Sequence, residues 1–339
     1  MATPELTPVL DLIEAFRRSK TMFAAVKLGV FDVLGRQPAT ATQVALDIGA
    51  QPDTCQRLLD ACVSLQLLRK QGDLYSNQPA ADRLLRRDSP HTMTGYILYS
   101  NDVLYRMWEN LEDAVREGSN RWEQTYGQSS AALFDHFFST EEKLATFIQG
   151  MHGFGVISSP AVVRAFDLSH FQHLADLGGA TGHLAIAACE QYPQLRATVF
   201  DLPKVIPLAR KNVQQSPARD RIECAAGDFF SDALPPADLY ALGRILHDWS
   251  EEKIERLLSR IVEALPPGGA LLIAERLLDD DLAGPAAGHM QSLNMLICTE
   301  GRERTLTQYR QLLERAGFAR VEGVRTGQPV DAVLASKHA

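Results

Sequence analysis

The stretch HLADLGGATGHLAIAACEQYP, His173–Pro193, joins a short apolar segment, a glycine-rich turn and an alanine-rich segment. This order is typical of a strand, a loop and a helix in an α/β protein. Two later stretches repeat it, ATVFDLPKVIPLARKNV (Ala197–Val213) and ADLYALGRILHDWSEEKIERLLSRIVEALPPGG (Ala237–Gly269). The repetition predicts a parallel sheet with helices on both faces. Ligands bind at the carboxyl ends of the strands in such sheets, so the loops there are candidate binding loops.

The third of these units contains the clearest helix pattern. Apolar residues recur at helical spacing from Ile254 to Leu265, acidic residues open the first turn, and two prolines and two glycines follow. These features predict a helix that begins near Ser250. His247 and Asp248 therefore lie between a strand end and a helix start, and Asp248 is a candidate either for capping this helix or for catalysis.

The region before the first strand has a different pattern. Residues 5–165 are mostly helical in spacing, and Ala41–Ile48, Pro52–Leu67 and a turn at Gln71-Gly72-Asp73 predict two helices and a hairpin, as in a winged helix. We predict a helical dimerisation domain over residues 1–168 and a ligand-binding domain over residues 169–339. Basic residues of the winged helix are balanced by aspartates, which argues against DNA binding.

Composition narrows the possible partners. The 339 residues carry a formal net charge of −8, which gives no reason to expect a nucleic acid or an anionic membrane as partner. The five cysteines show neither CxxC spacing nor clustering with histidines, so we expect neither a metal site nor a disulfide framework. The chain has no signal-like start and no run of about 18 apolar residues, which favours a cytoplasmic protein.

The glycine loop DLGGATG is the first candidate binding loop. Its glycines allow a tight turn and a close approach of backbone amides to a ligand. The loop lacks the G-x-G-x-x-G pattern of dinucleotide-binding proteins. Counted from Gly178 or from Gly179, the position of the second glycine is occupied by Ala180 or Thr181. The candidate ligand-binding residues of this loop are Asp176, Gly178, Gly179 and Gly182.

Two further strand-end loops carry acids. Asp201, followed by Leu202, stands 25 residues after Asp176, where a carboxylate can accept two ribose hydroxyls. Asp228 and Phe229 in AAGDFF suit the exocyclic amine and the ring of a purine. A single loop aspartate is usually a cap or turn former, but this ordered set without a phosphate cradle favours S-adenosylmethionine, which combines adenine, ribose and a cationic amino-acid tail.

Taken together, the motifs of the whole chain resemble the S-adenosylmethionine-dependent small-molecule O-methyltransferases of the caffeic-acid and acetylserotonin type. The resemblance is carried by FAAVKLGVFDVL, DLGGATG, TVFDLP, GDFF, LHDW, PGG, SLNMLICTEGRERT and LLERAGF, with the acetylserotonin enzymes most similar. It implies a Rossmann-like methyltransferase domain, an N-terminal winged-helix dimerisation domain and a homodimer. The departure is Ala180, where family members usually have a third glycine; this puts the cofactor affinity in doubt.

The resemblance also implies roles for individual residues. His247 is the general base, Glu275 and Glu303 orient its imidazole, and Arg244 lies near the methionine carboxylate of the cofactor. A phenol has a pKa near 10, so a neutral imidazole, of ordinary pKa about 6.5, can remove its proton as the oxygen attacks the methyl carbon. The implied acceptor is a small aromatic hydroxyl compound.

The acceptor pocket is the least specific part of the sequence. Aromatic and methionine residues on helices suit a flat ring, although plain core packing claims many such residues. The candidates are Tyr105, Trp108, Met151, His152, Phe154, Met290, Asn294 and Met295. Two alternative functions remain at this point, a cofactor-binding relative that decarboxylates or hydroxylates a polyketide, and a winged-helix regulator.

Overall fold

The computed structural model describes residues 7–127 and 140–338, which form two compact units, Met1–Val103 and Leu104–Ala339. The boundary between these units falls after Val103. The predicted division after residue 168 follows the change from helical to alternating sequence and stays a prediction about functional domains.

The first unit is helical apart from a small sheet. Its helices are α1 (Thr7–Leu28), α2 (Val30–Leu34), α3 (Ala41–Ile48), α4 (Pro52–Ser64), α5 (Pro79–Leu84) and α6 (Thr94–Tyr99), and its strands are β1 (Ala39–Thr40), β2 (Leu68–Gln71) and β3 (Leu74–Asn77). The strands are antiparallel in the order β1-β3-β2. The predicted winged helix is confirmed, with the second helix ending at Ser64 rather than near Leu67.

Sequence features explain the local structure of the winged helix. Thr40 and Gln43 form a reciprocal capping box at the start of α3, and Gly49 ends that helix in the left-handed conformation. Phe31, Leu59 and Tyr75 are fully buried and fill the centre of this unit. The wing and its two helices thus share one apolar core.

The second unit is built on a seven-stranded sheet. The strands are β4 (His173–Leu177), β5 (Arg196–Asp201), β6 (Ile222–Ala226), β7 (Leu239–Gly243), β8 (Ala270–Glu275), β11 (Arg320–Val324) and β12 (Asp331–Ser336), in the order β11-β12-β8-β7-β4-β5-β6. A short parallel pair, β9 (Leu277–Leu278) and β10 (Arg304–Thr305), lies outside it. The sheet is parallel except at β12, which is antiparallel to both its neighbours. The prediction did not include this strand because a C-terminal hairpin has no helix to mark the crossover.

Helices cover both faces of the sheet, as predicted. The described helices of the second unit are α7 (Tyr105–Met107), α8 (Leu111–Glu117), α9 (Trp122–Tyr126), α10 (Glu141–Arg164), α11 (His183–Gln191), α12 (Ile206–Val213), α13 (Glu251–Ala264), α14 (Ala286–Cys298) and α15 (Leu306–Ala316). Leu174 points to a core that includes α11, and the next residue, Ala175, points to a core that includes α13 and α15. This alternation along one strand is the period-two pattern of a sheet buried on both sides.

Two further findings concern membrane-spanning helices and cysteines. None of the helices in residues 7–127 and 140–338 has the length and apolarity needed to cross a bilayer. All five cysteines are free thiols, and four of them are buried.

Candidate functional site

The catalytic candidates lie on a turn directly after β7. The strand ends at Gly243, Arg244 takes a left-handed backbone conformation with φ of 59°, and residues 246–248 form a single 3₁₀ turn. Helix α13 begins at Glu251, as predicted. The turn therefore presents His247 at the carboxyl edge of the sheet, where ligands bind in open α/β folds.

The imidazole of His247 is buried against two glutamates from other elements. Its Nδ1 lies 2.7 Å from Oε1 of Glu303 and 3.3 Å from Oε2 of Glu275. The His247 side chain is 4% exposed and both glutamates are fully buried. A carboxylate only accepts hydrogen bonds, so Nδ1 carries a proton and Nε2 is the ring atom left to act as a base.

Glu275, at the end of β8, also holds the backbone of the turn. Its Oε1 accepts hydrogen bonds from the N–H groups of Ile245 and Leu246 at 2.9 Å each and from that of His247 at 3.4 Å. One oxygen of this carboxylate fixes the main chain while the other faces the ring. The two predicted orienting acids are thus brought together with His247 although 28 and 56 residues separate them from it.

The charges around the ring set its protonation. Burial favours the neutral imidazole, but the three surrounding carboxylates outweigh burial and raise the pKa of His247 to about 9. Burial in turn raises the pKa of Glu275 to about 7. The ring is therefore a stronger base than the unperturbed imidazole assumed from the sequence, and in the free protein it holds its second proton at neutral pH.

Asp248 faces the opposite side of the ring. Its Oδ1 lies 3.7 Å from Nε2 of His247, and burial raises the pKa of its carboxyl group. Ser250 occupies the cap position of α13 and no side chain caps this helix. Asp248 therefore does not cap α13, and its catalytic role stays a prediction. Trp249 packs edge-on against Phe230, with ring centroids 5.1 Å apart.

The glycine loop connects β4 to α11. Gly178 and Gly182 have φ of 68° and 77°, which L side chains rarely adopt. A Cβ on Gly178 would stand 2.5 Å from Cδ1 of Ile245, and one on Gly179 would stand 2.7 Å from Oδ2 of Asp176. Asp176 is 2% exposed, and burial raises its pKa to about 7. Its Oδ2 accepts a hydrogen bond from the N–H of Ala185 at 3.4 Å. Its role as a direct ligand stays a prediction.

Ala180 also has a left-handed backbone, with φ of 49°. Its N–H donates to Oδ2 of Asp201 at 2.8 Å, and the N–H of Leu202 donates to Oδ1 of the same carboxylate at 2.7 Å. Burial raises the pKa of Asp201 to about 6. The backbone N–H of Ala180, the residue that departs from the family pattern, therefore connects the loop to Asp201, the predicted ribose-binding acid.

We expect Ala180→Gly to raise Tm by about 1–2 °C. A left-handed alanine costs about 1 kcal/mol or more, which the greater freedom of glycine in the unfolded chain offsets only in part. Thermal unfolding followed by circular dichroism measures the change. The matched control is Ala187→Gly in the middle of α11, which we expect to lower Tm because glycine destabilises a helix interior. A lower Tm for Ala180→Gly would contradict the assigned strain.

Asp228 and Phe229 follow β6. Asp228 accepts hydrogen bonds from the N–H of Phe230 at 2.8 Å and from the hydroxyl of Ser231 at 3.1 Å, so its carboxylate shapes the turn. Phe229 packs against the ring of Phe230 and lies 3.4 Å from the Cβ that Gly178 lacks. The second and third acidic loops therefore lie beside the first, as the parallel order of β4, β5 and β6 requires.

Helix α10 packs along the same loop through two histidines that sequence reasoning did not connect. Nδ1 of His152 is 2.8 Å from Oγ1 of Thr181, and Nδ1 of His183 is 2.9 Å from Oγ of Ser159. A Cβ on Gly155 would stand 2.2 Å from the His183 ring. Burial lowers the pKa of His183 to about 3, so this ring is neutral. No local sequence signal pairs these residues, because each pair is 24 or more residues apart.

Arg244 lies between this helix and the catalytic turn. Its guanidinium carbon is 5.1 Å from the centroid of the Phe154 ring. Its Nε is buried and has no hydrogen-bond partner among the described residues. A buried donor without an acceptor is unfavourable, so this atom fits the carboxylate of a bound amino-acid group.

The predicted acceptor residues differ in their contacts and in their exposure. Nε1 of Trp108 donates to Oδ1 of Asn294 at 3.0 Å, and the Cys298 thiol points to the same oxygen at 3.8 Å. Met295 is 5% exposed and packs as core, whereas Met290 is 52% exposed. The other candidates, Tyr105, Met151, His152 and Phe154, are partly buried. Their roles as acceptor contacts stay predictions.

Comparison with known proteins identifies the family of the chain. The O-methyltransferase domain family matches residues 108–319, and the O-methyltransferase dimerisation domain family matches residues 10–87. The chain is 42% identical to chicken (Gallus gallus) acetylserotonin O-methyltransferase over 97% of its own length and 96% of that protein. It is also 42% identical to a probable bifunctional human dTTP/UTP pyrophosphatase/methyltransferase protein, of which it spans 54%.

The solved structures include a close match to the fold. The structure of human N-acetylserotonin methyltransferase in complex with SAM superposes with a TM-score of 0.94 at 39% identity and covers 99% of each chain. Since this match extends over both units, the similarity is one of the whole chain and not of one motif.

Proposed function

Because the chain belongs to the O-methyltransferase family, we propose that it transfers a methyl group from S-adenosylmethionine to a hydroxyl of a small aromatic acceptor, with His247 as general base. The observation that carries the proposal is the buried contact of 2.7 Å between Nδ1 of His247 and Glu303. It leaves Nε2 as the basic atom at the carboxyl edge of the sheet.

Residues of the three strand-end loops and of the turn after β7 fit the methyl donor. Asp201 offers a ribose-binding carboxylate, Phe229 an apolar ring for adenine, and the orphaned Nε of Arg244 a donor for the methionine carboxylate. Gly178 lets the loop pack against Ile245, whose Cδ1 a Cβ would approach to 2.5 Å. S-adenosylmethionine supplies a methyl carbon that is activated by the positive sulfur.

The chain's own contribution to the reaction is alignment and proton removal. Nε2 of His247 takes the proton of the acceptor hydroxyl, and the imidazolium so formed is stabilised by Glu303 and Glu275 at Nδ1. A ring whose pKa is about 9 is closer in basicity to a phenolate than an unperturbed imidazole is. The cost is that only a small fraction of the free protein has a neutral ring at pH 7.

The acceptor class follows from the polar and apolar groups near the turn. Trp108 occupies Oδ1 of Asn294, so the amide N–H groups of Asn294 remain to donate to an oxygen of the acceptor. Phe154 and Met151 add flat and adaptable apolar surface. A hydroxyindole with a side-chain amide, such as N-acetylserotonin, combines these features, and it is the compound named for the relatives of known activity.

The direct test is product mass. Purified protein with S-adenosylmethionine and N-acetylserotonin, or a panel of simple phenols, is expected to release S-adenosylhomocysteine and add one methyl group to the acceptor oxygen. Binding of S-adenosylmethionine without methylation of any hydroxyl in the panel would contradict the proposal.

The pH profile tests the state of the base. Because the carboxylates raise the pKa of His247, the catalytically competent neutral ring becomes more abundant as the pH rises through about 9. We expect kcat/KM to increase from pH 6 towards pH 9. Glu303→Gln removes one negative charge, so the pKa of His247 falls and the rise moves to lower pH. Since ionisation of the acceptor is the same for both proteins, an unchanged midpoint would argue against His247 as the titrating base.

The N-terminal helix supports a homodimer. One stretch of α1 exposes large apolar side chains that are 54–72% accessible in the single chain, and all of them except Val9 lie in the region matched by the dimerisation domain family. They are Val9, Leu10, Leu12, Ile13 and Phe16. Exposed apolar surface of this kind is typical of a protein interface.

Charge on this face is expected to disrupt the dimer. Leu12→Asp combined with Phe16→Asp places two carboxylates on the apolar stretch, and sedimentation velocity is expected to show conversion from dimer to monomer. Arg17→Ala, which removes an exposed ion pair with Glu14 and a cation–π contact with Phe16 but leaves every apolar side chain in place, is the control and should remain dimeric. A double variant that stays dimeric would place the interface elsewhere.

A further inference from the structure

Arg304 is a buried cation beside the catalytic turn. It is the first residue of β10 and directly follows Glu303, and its side chain is 1% exposed. Its Nη2 lies 2.8 Å from Oε1 of Glu251, at the start of α13. Its Nη1 donates to the carbonyl oxygens of Leu246 at 3.3 Å and of Arg302 at 3.0 Å.

The contact with Leu246 closes a clamp on one peptide group of the turn. In the peptide between Leu246 and His247, the N–H of His247 donates to Glu275 at 3.4 Å and the carbonyl of Leu246 accepts from Arg304 at 3.3 Å, so both polar groups are held by charged side chains. The next residue is His247. The orientation of the peptide between these two residues determines where the imidazole points, because it fixes the position of the His247 Cα and Cβ atoms.

Burial of Arg304 is unfavourable enough that its contact with α13 alone does not account for it. Burial of an arginine is unfavourable because the guanidinium loses its hydration. The ion pair with Glu251, which is 45% exposed, offsets only part of this loss. Arg302 already reaches the same oxygen of Glu251 at 3.3 Å from an exposed position. A surface ion pair to α13 therefore does not require a second, buried arginine.

We propose that Arg304 is a positioning residue for the general base, which holds the Leu246 carbonyl and thereby keeps His247 aligned with Glu303. This inference rests on the proposed function, in which His247 accepts the acceptor proton. Glu303 and Arg304 are adjacent in the chain, so one short segment orients both the ring and the backbone that carries it.

Arg304→Met tests the proposal without stranding a buried charge, because methionine is neutral and fills similar apolar space. With S-adenosylmethionine and N-acetylserotonin as substrates, we expect kcat to fall roughly 10- to 100-fold. The Kd for S-adenosylmethionine should stay within about twofold. The pH midpoint of kcat/KM should fall, because Glu303 raises the pKa of His247 through its charge and its hydrogen bond, whereas Arg304 is not among the charges that act on the ring. Arg304→Lys retains the charge but reaches fewer acceptors, so its loss of kcat should be smaller.

Arg302→Ala is the matched control. It removes an exposed contact with Glu251 on α13 but leaves the Arg304 contact to Leu246, so we expect kcat and the pH midpoint to stay near the wild-type values. A loss in this control as large as in Arg304→Met would overturn the proposal, since the contacts with α13 would then explain it. A change in Tm alone, with wild-type kcat and pH midpoint in Arg304→Met, would also overturn it.

The outcome is distinguishable from failure of the proposed function. If His247→Gln leaves turnover unchanged, His247 is not the base and the proposed function fails. If His247→Gln lowers kcat while Arg304→Met does not, only the positioning role fails. Imidazole nitrogen NMR of the ligand-free protein gives a further readout, in which the signal that disappears in His247→Gln should titrate at lower pH in Arg304→Met.

Discussion

His247→Ala is expected to lower kcat by roughly 10²- to 10⁴-fold, the usual contribution of a positioned general base. The variant removes Nε2, and with it the group that takes the acceptor proton. The three loops that fit S-adenosylmethionine do not use the His247 side chain, so the Kd for the methyl donor should change by less than about threefold. Rates of S-adenosylhomocysteine formation and calorimetric titration with S-adenosylmethionine measure the two quantities.

The control for this variant is His170→Ala, which removes an exposed histidine just before β4 and should keep wild-type kcat. Parallel losses of kcat and of S-adenosylmethionine affinity in His247→Ala would show that the ring maintains the structure of the turn, and that its role as base is not needed to explain the defect. Thermal unfolding of both variants distinguishes these cases.

Asp201→Ala is expected to weaken binding of S-adenosylmethionine by roughly 10²-fold or more. A hydrogen bond to a charged group contributes about 1.5–3 kcal/mol, and this carboxylate is placed to accept two ribose hydroxyls. It also accepts the N–H groups of Ala180 and Leu202, so its loss loosens the glycine loop as well. At saturating S-adenosylmethionine, kcat should recover much of its wild-type value, because His247 is untouched.

Calorimetric titration measures the affinity, and Asp220→Ala provides a matched control at an exposed aspartate that should leave Kd unchanged. Asp201→Asn keeps one oxygen acceptor without the charge, and its affinity should fall between those of the wild type and Asp201→Ala. A wild-type Kd in Asp201→Ala would exclude this carboxylate from the donor site.

The sequence predicted those parts of the site that lie at the ends of strands. Asp201 and Asp228 end or follow adjacent strands, and His247 follows the strand on the other side of β4, so the periodic pattern alone brings them to one edge. Glu275 also ends a strand, but its role came from resemblance. No local pattern shows that one of its oxygens accepts hydrogen bonds from three backbone N–H groups of the turn.

Other features escaped sequence reasoning because they depend on side-chain packing between distant elements. Arg304, for example, lies in the polar motif GRERT, yet it is buried beside Leu246. The contact between His152 and Thr181 joins a helix to a loop 29 residues away. Neither contact follows from helical or strand periodicity.

The amino-acid sequence by itself determined the α/β class, the winged helix and the set of loops that face a ligand, because these follow from short-range patterns of apolar residues, glycines and caps. Tertiary structure alone decided the protonation of the base. Three carboxylates from separate elements meet at one buried ring, and their combined field outweighs the desolvation of the imidazole. Such a balance depends on distances of a few ångströms between residues up to 56 positions apart, which no local pattern encodes.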